Sequence, residues 1–244
     1  MRKEDKMKRQ TELLIAELVE KYGEDIKDKL VSYMDMILEK NEHINLTAVR
    51  DRDEALQKHI ADSLSCDFME EYQKALSVID IGTGAGFPGV PLAITSPDKN
   101  FVLVDSLNKR LKIIDELVDE IGITNIKTVH GRAEDIGRSV EYREKFDVCV
   151  SRAVASLDIL SEWCIPFVKV GGYFISYKGE NVSRETAEAA NAIRALGGEI
   201  EEIRKIEDGN ESISGHVLVM IKKVRKTPNK YPRQGGQAKK NPIK

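Results

Sequence analysis

A chain of 244 residues, 41% apolar and 32% charged, is long enough to bury a substantial core and has the make-up of an ordinary soluble globular protein. No apolar run approaches a membrane span and no apolar h-region follows the polar start Met1–Arg9, so neither a membrane partner nor secretion is supported and a cytoplasmic location is expected. The net charge of −3 is unevenly held: Lys222–Lys244 contains nine Lys/Arg and no acid, which leaves −12 on residues 1–221.

Helical spacing dominates the first part of the chain. Leu14, Leu18 and Tyr22 predict a short helix stopped by Gly23; Ile26, Leu30, Tyr33, Met34, Ile37 and Leu38 predict a second, and Leu56, Ile60 and Leu64 a third. From residue 77 the period changes. Short β-rich runs at 77–81, 101–105, 126–130, 146–151 and 172–177 alternate with stretches long enough for helices, the pattern of a parallel sheet covered on both faces. Pro88 suits a first helical turn, Asn108 an N-cap, and Gly122 a C′ stop for the helix ending at Ile121. Ile200–Ile206 and His216–Lys223 are separated only by Glu207–Gly215, too short for a parallel crossover, so an antiparallel hairpin is expected. The basic tail, broken by Pro228, Pro232, Gly235, Gly236 and Pro242, is not expected to pack as a core element. It reads as a solvated, partly disordered terminus or as an arm for a phosphate backbone. Three units are predicted: a helical cap (1–75), an α/β core (76–224) and the tail (225–244).

The most informative stretch is Val78–Gly89, an apolar strand ending in Asp80 and running into Gly82, Gly84 and Gly86. Such a turn brings backbone close to a ligand. An acid beside it repels pyrophosphate and welcomes the ammonium of an amino-acid moiety, which points to S-adenosylmethionine. Ligands of open α/β sheets sit beyond the carboxyl ends of the strands, and reading those ends collects the rest of a site. Asp105, about 20 residues past the glycines, stands where an acid binds ribose hydroxyls, followed by Ser106 and Leu107; the alternative is a strand-end cap. Ala133 and Glu134 fall where a third loop would flank adenine, or form an acid-rich helix start. Phe87 either lids the methionine portion or belongs to the core. Ser151-Arg152 and Tyr177-Lys178 close the two remaining strand ends, with Arg152 and Lys178 as positioning candidates.

Gly84-Ala-Gly86-Phe-Pro-Gly89 also satisfies the dinucleotide pattern, so a nicotinamide-dependent oxidoreductase stands as the rival enzyme and a non-catalytic RNA-binding module as the third reading. Against the oxidoreductase stand Asp80 and the proline inside the motif. Cys66, Cys149 and Cys164 and the four histidines are scattered without ligand spacing; reduced thiols, no metal and no Cys-His nucleophile are expected.

Several motifs follow in one order: Asn45-Leu-Thr-Ala-Val-Arg50, His59-Ile-Ala-Asp62-Ser-Leu, the glycine turn with Phe87-Pro88, Asp105-Ser-Leu, Gly131-Arg-Ala-Glu134, Ser151-Arg-Ala, Tyr177-Lys-Gly179 and Lys230-Tyr-Pro-Arg233. Over about residues 30–233 the chain resembles the bacterial small-subunit ribosomal RNA methyltransferase G family, also called glucose-inhibited division protein B. It departs from the pattern at Arg52, where members often carry proline. The resemblance implies a Rossmann-like class I methyltransferase, with a mostly parallel seven-stranded sheet ending in an antiparallel hairpin and an N-terminal helical cap. It further implies methyl transfer from S-adenosylmethionine to N7 of a guanosine in 16S ribosomal RNA, free or in the small subunit, by a monomer. By carry-over, Gly82, Phe87, Asp105 to Leu107, Ala133, Glu134 and Arg152 contact the cofactor. Asn45, Arg50, His59, Asp62, Lys178, Lys230 and Arg233 are candidates to meet RNA; Asn45 can instead build a turn, and His59–Asp62 can be a surface pair.

Overall fold

The computed structural model describes residues 3–179, 182–206 and 215–244. Two helices in contact, α1 (Lys3–Tyr22) and α2 (Glu24–Asn41), precede a continuous helical stretch made of α3 (Arg52–Ala55), a π-helical turn (Leu56–Ala61) and α4 (Asp62–Leu64), and then the short α5 (Glu70–Gln73). The alternating part is β1 (Ser77–Ile81), α6 (Gly89–Thr95), β2 (Asn100–Asp105), α7 (Asn108–Glu120), β3 (Ile126–His130), α8 (Ala133–Ile136), β4 (Phe146–Arg152), α9 (Leu157–Cys164) and β5 (Val168–Lys178). Then come α10 (Val182–Leu196), β6 (Gly198–Lys205), β7 (Val217–Lys223) and α11 (Gln237–Lys240).

The seven strands lie in the order β3-β2-β1-β4-β5-β7-β6. β1 to β5 are parallel, and β7 runs antiparallel to both β5 and β6. The expected hairpin pairing is present; residues 207–214 of its connection lie outside the described residues. Order reverses at β1, which pairs β2 on one edge and β4 on the other, so the glycine turn leaves the sheet where a crevice opens. Side chains alternate across the sheet. Val78, Leu103, Val148, Val150 and Leu218 face a cluster shared with Leu30, Tyr33, Ile37, Leu56 and Ile60 of the N-terminal helices. Ile79, Ile81, Val104, Cys149 and Val219 face a second cluster with Leu160, Phe167, Ile193 and Leu196. The cap helices thus complete the core under one face of the sheet and stand beside the switch point.

Local punctuation follows the sequence with small offsets. Gly122 has φ +71° directly after Ile121, as a C′ glycine should. Asn108 is the first residue of α7 rather than its cap; Leu107 holds the N-cap position without a side-chain cap bond, its own N–H donating to Asp105 Oδ1 (2.8 Å). Pro88 stands just before α6 rather than in its first turn.

The tail departs from expectation. Thr227, Tyr231 and Ala238 are buried against the second cluster. Its backbone carbonyls find donors on the core: Arg143 donates to Thr227 O and Tyr231 O (both 2.8 Å), and Arg138 to Pro232 O (2.9 Å). Arg233 engages Glu162 through Nε and Nη2, and Glu162 is 1% exposed. A proline-rich basic segment packs here because distant arginines satisfy its backbone, while Lys226, Lys230, Lys239, Lys240 and Lys244 stay exposed. No helix among the described residues is long and apolar enough to cross a membrane, and no group of them is arranged to hold a metal ion.

Candidate active site

At the switch point the strand ends enclose a cavity of about 380 Å³. Its floor is the glycine turn, Gly82–Ala85; one wall is Asp105, Ser106 and Arg110, another is Arg152–Val154, and the roof is Leu46, Thr47, His59 and Phe87. A larger hollow, about 500 Å³, lies between α1, Ala61–Phe68 and the end of β6, away from every strand end that carries the motifs. The smaller cavity is the chemically equipped one.

Gly84 has φ +61° and open space where a side chain would project, so ligand and backbone can meet there. The turn is held by Asp105, whose Oδ2 accepts the Gly84 N–H (3.0 Å) while Oδ1 accepts the Leu107 N–H. A carboxylate has about four acceptor positions, so both oxygens keep capacity for hydroxyls entering the cavity. Loop 131–134 borders this end: β3 pairs β2, and the Gly131 N–H donates to Asp105 O (3.1 Å). Leu107 (52% exposed), Ala133 and the buried Glu134 therefore sit beside the Asp105 end without lining the cavity itself.

Two positions expected to meet a ligand do not line the cavity. Asp80 is fully buried behind the turn, accepting from Thr83 Oγ1 (2.7 Å) and the Gly89 N–H (3.0 Å) through Oδ2. Burial raises its pKa to about 6 against the pull of those bonds, and Oδ1 has no partner among the described residues. Its part is to pin the turn and to leave a buried negative potential beneath it. Gly86 serves packing: a Cβ there would lie 2.2 Å from the Tyr33 hydroxyl, which donates to Ala85 O (2.9 Å).

The roof is a polar chain. Asp62, 3% exposed in its side chain, accepts from Arg152 Nη1 (2.8 Å) through Oδ2 and from His216 Nδ1 (2.9 Å) through Oδ1. Burial opposes its charge, but the bonds from His216 and Arg152 outweigh this and hold its pKa below the ordinary value. The bond to Asp62 raises His216. Arg152 also donates through Nη1 to Lys58 O (3.0 Å) and through Nη2 to His59 Nδ1 (3.1 Å). An arginine only donates, so His59 Nδ1 must accept and its proton sits on Nε2, which reaches Thr47 Oγ1 (2.7 Å). Burial, then the Arg152 cation, push His59 down to about 4, so the ring is neutral. It stacks on Phe87, centroids 4.8 Å apart and 12° from parallel, and the Arg152 guanidinium lies 5.4 Å from the same ring. The π-helical turn carries Lys58 and His59 and sets this geometry.

The remaining candidates do not line the cavity, and Lys230 stands exposed on the tail. Lys178 donates to Ala155 O (2.8 Å) and pairs with Glu185 (2.7 Å) away from the cavity, and Asp62 lies under the roof rather than at the mouth. Arg50 donates to Asn41 O (2.7 Å) and to Asn45 Oδ1 (3.4 Å), so both serve the turn after α2. Arg233 is spent on Glu162. Sequence reading missed Thr47, although it sits in the Asn45–Arg50 motif, and missed Asn41. Asn41 is 1% exposed; its Oδ1 accepts the Leu46 and Thr47 N–H groups and its Nδ2 donates to Thr47 O, which places Thr47 over the cavity. Arg110 and Val154 were missed as well; each follows its strand end too loosely for a motif to mark it.

A family model described as rRNA small subunit methyltransferase G matches residues 26–214. Curated relatives called ribosomal RNA small subunit methyltransferase G include one from Clostridium novyi (strain NT), 47% identical over 216 residues, covering 88% of each chain. Another, from Alkaliphilus oremlandii (strain OhILAs), is 48% identical over 217 residues, covering 89% of this chain and 90% of the relative. Among solved structures, a putative O-methyltransferase from Klebsiella pneumoniae superposes with a TM-score of 0.54 at 14% identity, over 78% of this chain and 90% of that one. TYW2 of M. jannaschii, solved in complex with AdoMet, superposes with a TM-score of 0.52 at 18% identity, over 68% and 77%. These structural likenesses speak for the fold.

Proposed function

We infer the activity from one premise: the chain belongs to the rRNA small subunit methyltransferase G family. It is an S-adenosylmethionine-dependent methyltransferase, and we propose that it methylates N7 of a guanosine in 16S ribosomal RNA, in the cytoplasm. The hydride-transfer and purely RNA-binding readings fall away with that membership. A monomer suffices, because one chain supplies every wall of the cavity.

The cavity suits the cofactor. It carries a turn open to close approach at Gly84, a two-handed carboxylate at Asp105, and the partnerless Asp80 Oδ1 whose buried potential favours a cationic ligand above it. Asp105 and Ser106 would hold the ribose, Leu107, Ala133 and Glu134 the adenine, and Gly82, Phe87 and Arg152 the methionine end. When bound, S-adenosylmethionine supplies a methyl on a cationic sulfur; the N7 lone pair takes the methyl and the C–S bond pair stays on sulfur. Guanine N7 carries no proton at neutral pH, so the chain has to orient and not to deprotonate.

The observation that carries this reading is the state of His59. Among the described residues it is the one imidazole in the cavity wall, and both nitrogens are engaged, by Arg152 and Thr47. Its only acceptor nitrogen, Nδ1, is held by the Arg152 guanidinium, and burial with that cation pushes the ring down to about 4, so it offers no lone pair to take a proton. Exposed tail lysines such as Lys230 would meet phosphates, with Leu46, Thr47 and His59 of the N-terminal helical part roofing the cavity and Arg233 strapping the tail to Glu162. The test is incubation of unmodified small subunits, and of naked 16S RNA, with methyl-labelled cofactor, followed by mapping of N7-methylguanosine. Label at N7 is expected; label on ribose, on another base or nowhere overturns the proposal.

A further inference from the structure

The Thr47 hydroxyl has an incomplete account that the reaction can complete. Its oxygen offers two acceptor positions and one proton. Both acceptor positions are taken inside the protein: His59 Nε2–H donates to Oγ1 (2.7 Å), and the Val49 N–H donates to it (3.1 Å). The direction of the first bond is settled by Arg152, whose Nη2 donates to His59 Nδ1. Among the described residues no acceptor receives the Thr47 proton, and the side chain lines the cavity. Thr47 therefore presents a donor, and only a donor, to whatever enters beneath it. Asn41 grips its backbone on both sides, so the hydroxyl is preorganised.

Resting on the N7-guanosine reading above, we propose that Thr47 is a specificity-determining residue that donates to O6 of the target guanine and so aims N7 at the methyl. The edge of guanine that bears N7 also bears O6, an acceptor, whereas adenine places an amino donor at the corresponding position. A hydroxyl whose acceptor positions are filled rewards the first and opposes the second. A bidentate arginine, the usual reader of O6 and N7 together, would tie up the lone pair that must attack. Arg152 already spends three of its five N–H groups on Asp62, Lys58 and His59. A single neutral donor beside N7 leaves the nucleophile free.

The test uses small subunits rebuilt with 16S RNA carrying either guanosine or 2-aminopurine, which lacks O6, at the methylated position. Wild-type enzyme should prefer guanosine by roughly tenfold or more in kcat/KM, the worth of one hydrogen bond in a desolvated site. Thr47→Ser should keep that preference. Thr47→Val should treat the two RNAs within about twofold, while its Kd for S-adenosylhomocysteine by calorimetry stays at the wild-type value and so certifies the fold. Discrimination of less than twofold by the wild type, or full discrimination by Thr47→Val, overturns the proposal. So does a loss confined to S-adenosylhomocysteine affinity, which would assign the proton to the methionine carboxylate. Absence of N7 methylation by the wild type on guanosine RNA would instead sink the activity itself, a distinct result.

Discussion

Arg152 Nη1 and Asp62 Oδ2 meet at 2.8 Å between side chains 13% and 3% exposed, tying the end of β4 to the helical stretch that roofs the cavity. A pair this buried is costly to break from one side, because the remaining charge keeps its desolvation penalty and loses its partner. Asp62→Ala is expected to lower unfolding free energy by about 3–5 kcal/mol in urea titrations. It also frees His216 and loosens the Arg152–His59 contact, so S-adenosylhomocysteine affinity should fall with it. Stability within about 1 kcal/mol of wild type would show that water already screens the pair.

Proton linkage at the site has two opposed parts. His59 is depressed to about 4 from an ordinary 6.5, so between those values the unfolded chain binds a proton that the native one refuses. Its contribution is full above pH 6.5 and is lost as pH falls toward 4. Asp80 is raised to about 6 from 3.8, so its contribution is present at low pH and lost as pH rises from about 4 to 6. Their slopes nearly cancel in that window. His59→Gln should unmask the Asp80 part: stability of the variant should fall as pH rises from 4 to 6, by up to about 1.4 kcal/mol per unit. Urea unfolding across that range measures it, and a flat or rising profile refutes it. His216, raised by Asp62, should hold its proton above pH 6.5 in an NMR titration while His59 stays neutral down to about 4.

Gly86 predicts a different failure. At φ +86° a Cβ is strained, and it would press on the Tyr33 hydroxyl and on Val90 Cγ2 (2.7 Å). Gly86→Ala should cost roughly 1–3 kcal/mol as overpacking and displace the turn. Calorimetry should then show weaker S-adenosylhomocysteine binding through a residue that does not line the cavity; Tyr33→Phe, which drops the bond to Ala85 O and relieves part of the clash, should recover some stability in the double variant.

What was legible in the sequence is what local chemistry encodes. The strands announce themselves by β-rich runs between glycines, the hairpin by a connection too short for a crossover, and the cavity floor by glycines beside acids. What was not legible depends on partners far along the chain. Asp80 was read as facing a ligand because sequence cannot say which way a strand-end carboxylate turns; Thr83 and Gly89 decide it. Asn45 and Arg50 drew notice by their polarity, yet Thr47 between them reaches the cavity, because Asn41 in the preceding helix holds its backbone. The π-helical turn at Leu56–Ala61 leaves no pattern in side-chain spacing. Asp105, by contrast, stands out by its strand-end position and its distance from the glycines, and the structure joins it to Gly84 directly.

The tail separates two kinds of basic residue that composition alone treats alike. Arg233 covers Glu162, whose side chain is 1% exposed, with three contacts between the groups. Removing it strands a buried carboxylate, so Arg233→Ala should lose about 3–5 kcal/mol of stability. The exposed Lys230, Lys240 and Lys244 hold nothing comparable in place. Replacing these three by glutamine should leave the unfolding midpoint within about 1 °C, since exposed charges contribute little. If each meets a phosphate, the triple variant should flatten the slope of log affinity for 16S RNA against log salt by about 2, at roughly 0.7 per contact. Filter binding between 50 and 200 mM salt (about the range over which such losses show) decides the matter. An unchanged slope with weakened folding would mean that the tail acts only as a strap across α8 and α9, and that phosphates are gripped elsewhere on the protein.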